Sequence, residues 1–215
     1  MKQFNNNHPI NRTLKSDEFV LWQSFLSGNK KSFEDIYNKY YSSLYEYAIR
    51  KLKDEELVRD AIQNLFVKLW SNKKNLGTTD NIKYYLFASL KNQILNLNIQ
   101  QSNQNKYLTN LSNSETFTLE FDSINYLEQK ELNQIQIENI QNALNFLTDK
   151  QKEVIYLKYF EELEYDHIAE LMDISVKGVY KLNYRALEAL KEILNVSKKD
   201  LLILFLLLKE IVFTH

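Results

Sequence analysis

The stretch Tyr165-Asp166-His167-Ile168-Ala169-Glu170-Leu171-Met172-Asp173-Ile174-Ser175-Val176-Lys177-Gly178-Val179-Tyr180-Lys181 decides the fold. It reads as a helix, a turn of three or four residues and a second helix, with Ile168, Ala169, Leu171, Ile174 and Val179 as apolar anchors. Ala169 is small where two crossing helices approach closely, and Ser175 stands where an N-cap starts the second helix. That is the pattern of a helix-turn-helix. Its second helix normally enters the major groove of DNA with its N-terminal residues against base edges.

The residues that follow extend the pattern. Lys177, Lys181 and Arg185 fall at i, i+4 and i+8 and form one basic stripe, with Tyr180 and Tyr184 beside it. Val179, Leu182, Ala186 and Leu190 form the opposite, buried stripe. Basic side chains contact phosphates and position a protein, whereas contacts to base edges specify sequence. Ser175, Lys177, Gly178, Tyr180, Lys181, Tyr184 and Arg185 are therefore the candidate DNA-contact residues of this part. Gly178 costs about 0.8–1.0 kcal/mol relative to Ala inside a helix; it either permits close backbone approach to DNA or simply weakens the motif. A solvated amphipathic helix is the plainer alternative, but the turn and the anchors fit together as a helix-turn-helix.

Composition points the same way. The 215 residues include only 3 Gly, 1 Pro and no Cys, against an average usage of about 7% Gly and about 5% Pro. Tight hairpins want Gly at their corners, and no Asn-Gly or Asp-Gly pair occurs. Sandwiches, barrels and Gly-loop nucleotide folds are disfavoured, and an all-α chain is expected. Without Cys there are no disulfides, thiolate nucleophiles or Cys-based zinc sites. His8, His167 and His215 lie far apart, in no metal-ligand spacing. No catalytic residue, metal site or cofactor is expected, and an enzyme is the weakest reading. The Asn-rich start from Met1 to Ile10 has no secretory pattern, and the longest apolar run, Leu201 to Leu208, is short of the roughly 18–20 residues that span a bilayer. A soluble, cytoplasmic chain without membrane insertion is expected.

The formal net charge of −1 hides an asymmetry. Residues 1–101 hold 15 Lys and Arg against 10 Asp and Glu, residues 102–138 hold 2 against 6, and residues 139–200 hold 9 against 11. Helical periodicity of three and four marks segments near Glu18 to Leu26, Phe33 to Leu52, Asp54 to Trp70 and Ile82 to Gln101. Ser32, with Asp35 three residues on, reads as the N-cap of the second. Ser102 to Asp122 is Asn/Ser/Thr-rich, acidic and aperiodic, a linker. Helices resume near Ile124 to Phe146. Thr148 and Asp149 signal a helix ending near Phe160, and Tyr165 to Met172, Val176 to Leu194 and Lys198 to Phe213 follow. The expected organisation is a first domain over 1–101, a linker over 102–123, a helix-turn-helix domain over 124–196 and an apolar helix over 197–215.

Several blocks together carry a resemblance. Phe33-Glu34-Asp35-Ile36-Tyr37-Asn38-Lys39-Tyr40-Tyr41, Leu44-Tyr45-Glu46-Tyr47-Ala48 and Asp60-Ala61-Ile62-Gln63-Asn64-Leu65-Phe66-Val67-Lys68-Leu69-Trp70 closely resemble region 2 of extracytoplasmic-function sigma factors. Tyr85-Leu86-Phe87-Ala88 through Asn92 and Asn96 looks like its continuation. Ala143-Leu144-Asn145-Phe146-Leu147-Thr148-Asp149-Lys150-Gln151-Lys152-Glu153-Val154, the helix-turn-helix and Tyr184-Arg185-Ala186-Leu187 are similar to region 4. The resemblance spans about Phe19 to Leu194, in order.

It implies two helical domains with no enzyme activity that bind core RNA polymerase and together recognise and open promoter DNA. By position, Asp60, Gln63 and Asn64 would face the clamp coiled coil of the polymerase β′ subunit, and the resemblance also implies the β flap as a contact. Lys73, Lys74, Asn81, Lys83, Tyr84, Asn92 and Asn96 would face the downstream promoter element. Stacking of an aromatic ring on an unpaired base contributes about 1–3 kcal/mol, which suits tyrosines near a melted strand; core packing is the alternative for Tyr84 and Tyr85. Phe66, Leu69 and Trp70 read as core. A helix-turn-helix regulator acting without polymerase is the rival reading, and it leaves the Phe33 to Trp70 block unexplained.

The chain departs from the family at three points. The family usually has an acidic residue where Asn64 stands, it commonly has arginines after Asn96 where this chain has Leu97-Asn98-Ile99-Gln100-Gln101, and Gly178 sits near the start of the recognition helix. If Lys177, Lys181 and Arg185 alone neutralise phosphates, the salt slope of DNA binding is about −2.7. The free chain is therefore expected to hold promoter DNA poorly, with polymerase, and in one hypothesis a second DNA-targeting protein, supplying the rest. An anti-sigma protein is a further possible partner. The tail Leu201-Leu202-Ile203-Leu204-Phe205-Leu206-Leu207-Leu208 is apolar all round, so it either docks a partner or folds back over the second domain.

Overall fold

Capping side chains set the helix starts in the computed structural model, which describes residues 16–104, 117–119 and 134–213. Ser16 Oγ accepts from the Phe19 amide and opens α1 (Asp17–Leu26). Asn29, not Ser32, caps α2 (Lys30–Leu52): its Oδ1 accepts from the amides of Lys31 and Ser32 at 2.9 and 3.2 Å. The helix thus begins one turn before the expected start, and Ser32 lies inside it, its hydroxyl 2.7 Å from Ser24 Oγ. Asp54 caps α3 (Glu55–Asn72), which runs into a 3-10 turn at Lys73–Asn75. Next comes α4 (Ile82–Gln104).

The second half comprises α5 (Gln134–Asn145), α6 (Asp149–Ile155), α7 (Tyr165–Met172), α8 (Val176–Leu194) and α9 (Lys198–Phe213). No strand occurs among the described residues. A capping box joins Thr148 and Gln151 at the start of α6. α6 passes into a π-helical turn at Tyr156–Phe160 instead of continuing as α-helix. The expected linker and the helix expected from Ile124 lie largely outside the described residues; α5 is described from Gln134.

Two packed halves meet in one interior. In the first, α1, α2, α3 and α4 bury Trp22, Phe25, Ile36, Leu44, Ile62, Phe66, Leu69 and Phe87, with Trp70 half-buried against them. The second buries Leu144, Val154, Ile168, Val179, Ala186 and Leu190. Between the halves, Tyr47 lies 5.2 Å from Phe87, 6.2 Å from Phe117 and 6.5 Å from Tyr156, ring centre to ring centre. Phe117, from the acidic stretch between the domains, is fully buried. The Thr118 amide donates to the Arg50 carbonyl at 3.1 Å, and Gln141 Nε2 donates to the Leu119 carbonyl at 2.9 Å. A short piece of the expected linker therefore belongs to the core that joins the two halves.

The apolar tail folds back. Leu201, Phe205 and Leu208 of α9 are buried, and the Phe205 ring packs 5.1 Å from Tyr159 and 6.0 Å from Phe160. Lys209 Nζ closes this contact 2.6 Å from Glu162 Oε1. Ile203 and Leu206 stay on the outside.

Candidate nucleic-acid and polymerase interfaces

α7 ends at Asp173, whose φ of 54° is left-handed, a conformation Asp tolerates better than most side chains. The turn is fixed by the Ile174 amide donating to the Ala169 carbonyl at 3.0 Å. Ser175 Oγ then accepts from the Gly178 amide at 3.1 Å and starts α8. A Cβ at Gly178 would sit 3.2 Å from Ser175 Oγ and 3.8 Å from Ile174 Cβ. The glycine thus leaves room for the cap and the turn to close, a local reason beside the two the sequence offered.

On α8, Val179, Ala186 and Leu190 are buried and Leu182 is half-buried. Lys177, Tyr180, Lys181, Tyr184 and Arg185 are exposed together on the other side. No ion pair among the described residues engages Lys177, Lys181 or Arg185. The Tyr180 ring leans on Tyr165 at 4.1 Å, which holds one aromatic edge of the stripe in place. Sequence reasoning missed Asn183, buried on the same helix. Its Nδ2 donates to the hydroxyls of Tyr159 at 3.2 Å and Tyr165 at 3.0 Å, tying α8 to α7 and the π-helical turn.

On α3, Asp60, Gln63 and Asn64 are all exposed, with Val58, Ala61, Ile62 and Leu65 buried behind them. The face the resemblance assigns to polymerase is open.

The region from Lys73 to Asn96 divides into three. Lys74 is exposed, but Lys73 Nζ donates to the Trp70 carbonyl at 3.0 Å and sits 4.0 Å from the centre of the Trp70 ring. Trp22 Nε1 donates to the Gly77 carbonyl at 2.9 Å and pins the loop. Asn92 and Asn96 are exposed and line a cavity of about 260 Å³ between α3 and α4, together with Lys68, Asn72 and Ser89. Asn81 Oδ1 accepts from the Tyr84 amide at 2.9 Å at the start of α4.

Asn81, Lys83 and Tyr84 turn toward the second half of the chain. Asn81 Nδ2 lies 3.4 Å from His167 Nδ1. Lys83 Nζ donates to the Glu161 carbonyl at 2.8 Å and stands 2.6 Å from Glu161 Oε2. The latter is an ion-pair contact without hydrogen-bond alignment. Tyr84 stacks on His167 with ring centres 4.2 Å apart, and its hydroxyl donates to Glu170. Partial burial and the Glu170 carboxylate push the Tyr84 hydroxyl up to about 12. Lys91 Nζ donates to the Glu170 carbonyl at 3.2 Å. Deeper in the same seam, Glu153 accepts from the Tyr47 hydroxyl at 3.1 Å and from Lys51 Nζ at 2.7 Å. Nothing in the sequence marks Glu153, Glu161 or Glu170 as more than solvated charge.

Two paired regions of one protein class fit this arrangement. The sigma-70 region 2 profile matches residues 36–102 and the sigma-70 region 4 profile matches residues 137–190. The RNA polymerase sigma factor YlaC of Bacillus subtilis (strain 168) is 25% identical over 172 residues, covering 80% of this chain and 97% of YlaC. The sigma factor SigM of the same organism, of the extracytoplasmic-function class, is 22% identical over 170 residues, with 79% and 99% covered. The sigma factor RpoE of Bartonella quintana, solved with the anti-sigma factor NepR, shares the fold with a TM-score of 0.54 at 21% identity, covering 78% of this chain and 99% of that one. The chain belongs to the sigma-70 family, in its extracytoplasmic-function class. It is a sigma factor that directs RNA polymerase to promoters.

Proposed function

We propose that α3 docks on the clamp coiled coil of the polymerase β′ subunit through Asp60, Gln63 and Asn64, and that the second half meets the β flap. Lys177, Lys181 and Arg185 then rest on phosphates of the upstream promoter duplex, with Ser175, Gly178, Tyr180 and Tyr184 at the groove. Lys73, Lys74, Asn81, Lys83, Tyr84, Asn92 and Asn96 face the downstream element as it melts. The chain has no catalysis of its own and works in the cytoplasm; its release is governed by an anti-sigma protein, the kind of partner with which the RpoE relative was solved. The observation that carries this reading is the pair of exposed faces, Asp60/Gln63/Asn64 on α3 and the exposed basic stripe on α8, on one chain that carries both sigma regions.

Two variants test it separately. A triple alanine substitution of Asp60, Gln63 and Asn64 is expected to weaken co-purification with core polymerase while the α8 stripe is untouched. Lys181→Ala with Arg185→Ala is expected to retain polymerase but lower promoter-dependent run-off RNA. Undiminished polymerase binding by the first variant refutes the α3 assignment. Undiminished initiation by the second refutes the α8 assignment and favours a polymerase-bound role without groove contact.

A further inference from the structure

One buried side chain of α1 holds the loop that leads into α4. Trp22 is fully buried, and its Nε1 donates to the Gly77 carbonyl at 2.9 Å, 55 residues further along the chain. The stretch from Leu76 to Asn81 has no helical structure, and a Cβ at Gly77 would meet nothing within 4 Å. Packing does not locate this part of the loop; the indole bond does. Lys73 fixes the near end through the Trp70 carbonyl and ring. Thr79 fixes the far end, its Oγ1 accepting from the Asn81 amide at 3.1 Å.

The same indole ring lies 5.0 Å from the Tyr85 ring of α4. Tyr85 and Leu76 both line the cavity in which Asn92 and Asn96 stand. Trp22 therefore braces the α4 wall and the loop wall of that cavity while staying outside it. Gly77 is exposed, so without the indole its carbonyl is satisfied by water, and the loop loses its position at little cost to folding.

We propose that Trp22 is a positioning residue for promoter selection. By fixing the Gly77 carbonyl it sets where Leu76 and Lys74 stand relative to Asn92 and Asn96, and so how sharply the chain discriminates among downstream elements. The inference rests on the placement of Lys74, Asn92 and Asn96 at that element, and adds to it a residue that touches no DNA.

Trp22→Phe keeps an aromatic ring against Phe25 and Tyr85 and removes the donor. The variant and the unaltered chain, each with core polymerase, transcribe a template library randomised upstream of a common tag, and the sequences recovered as RNA give the preference at each position. Trp22→Phe is expected to lower discrimination at the downstream element by about 2- to 12-fold, the equilibrium worth of one neutral hydrogen bond. Preference at the upstream element, placed at α8, and co-purification with polymerase should stay unchanged. Ile62→Val trims a buried side chain of α3, lowers stability without touching the bond, and should leave both preferences as they are.

An unchanged downstream preference, an equal loss at both elements, or an equal loss from Ile62→Val overturns the proposal, the last two because stability alone would explain them. A second measurement needs no change at Trp22. The sequence holds two tryptophans, so Trp70→Phe assigns the Trp22 indole proton in a nuclear magnetic resonance spectrum. That proton is expected to exchange slowly with water, and rapid exchange overturns the bond and the proposal with it. Absence of any downstream preference in the unaltered chain refutes the placement itself, an outcome distinct from a preference that Trp22→Phe fails to relax.

Discussion

Replacing Lys51 by Met should open the seam between the two halves. Lys51 Nζ lies 2.7 Å from Glu153 Oε2, and the side chains are 15% and 5% exposed. Lys51→Met keeps the apolar stem and removes the charge, leaving Glu153 with the Tyr47 hydroxyl as its remaining side-chain hydrogen-bond donor. Removing one partner of a buried pair costs about 3–5 kcal/mol, since the other charge stays uncompensated. The chain can relieve this by parting its halves and hydrating Glu153, which shifts the closed-to-open ratio by roughly 100- to 4,000-fold. If it stays closed instead, melting falls by about 6–20 °C for a chain of this size. Energy transfer between dyes on the two halves and a thermal melt on the same samples distinguish the outcomes. Arg59→Ala is the reference, because the Arg59–Glu55 pair is 64% exposed on both sides and is worth only about 0.3–0.5 kcal/mol. Lys51→Met combined with Glu153→Gln should recover much of the loss, since the uncompensated charge is gone. If Lys51→Met alters neither transfer nor melting more than Arg59→Ala does, the reasoning about a buried charged seam is wrong.

Acid should loosen the first half through Glu18. Burial raises its carboxyl pKa, but hydrogen bonds from Tyr40, Lys39 and the Ile82 amide outweigh that and hold it below the usual range. A depressed folded-state value means the stabilisation is present above the unfolded value of about 4.3 and is lost as pH falls through the folded one. Glu18→Gln should therefore flatten the loss of stability below about pH 4.3, read as denaturant midpoints over a pH series; an unaltered series contradicts it. Truncation after Asp200 removes the buried Leu201, Phe205 and Leu208, about 5–9 kcal/mol as an upper figure. The shortened chain should aggregate or melt far lower, and a monomer with unchanged melting temperature would contradict the packing of α9. In DNA binding by the polymerase-bound chain, Lys181→Ala should make the salt slope shallower by about 0.9; an unchanged slope removes Lys181 from the phosphate contacts.

The helix-turn-helix was legible because several local signals agree there: periodic anchors, a small residue at the crossing and Ser175 at the cap. The start of α2 was misread for a local reason. Ser32 with Asp35 looks like half a capping box, and the Lys30-Lys31 pair hides that Asn29, itself a good cap, lies one turn earlier. The π-helical turn after Ile155 ends at a residue, Glu161, that pairs across to the first half. It accompanies Tyr156 donating its buried hydroxyl to Glu161 at 2.6 Å while Glu161 reaches Lys83. No periodicity encodes such a bond between halves. The alternation of Phe117 and Leu119 in a polar stretch was the one visible hint that the connector joins the core. That the candidates on α3 and α8 are exposed follows from helical periodicity, whereas the choice of Asp60, Gln63 and Asn64 on α3 rests on the resemblance. The engagement of Asn81, Lys83 and Tyr84 does not, because their partners lie roughly 80 residues away, at Glu161, His167 and Glu170.

The most direct test of the account is the mapping of RNA 5′ ends made by core polymerase on bare DNA with and without this chain. The account predicts a small set of new, reproducible start sites that appear only when the chain is present and fade when Lys181 and Arg185 are replaced. An unchanged pattern of starts, from a chain that also fails to bind the polymerase, would contradict it.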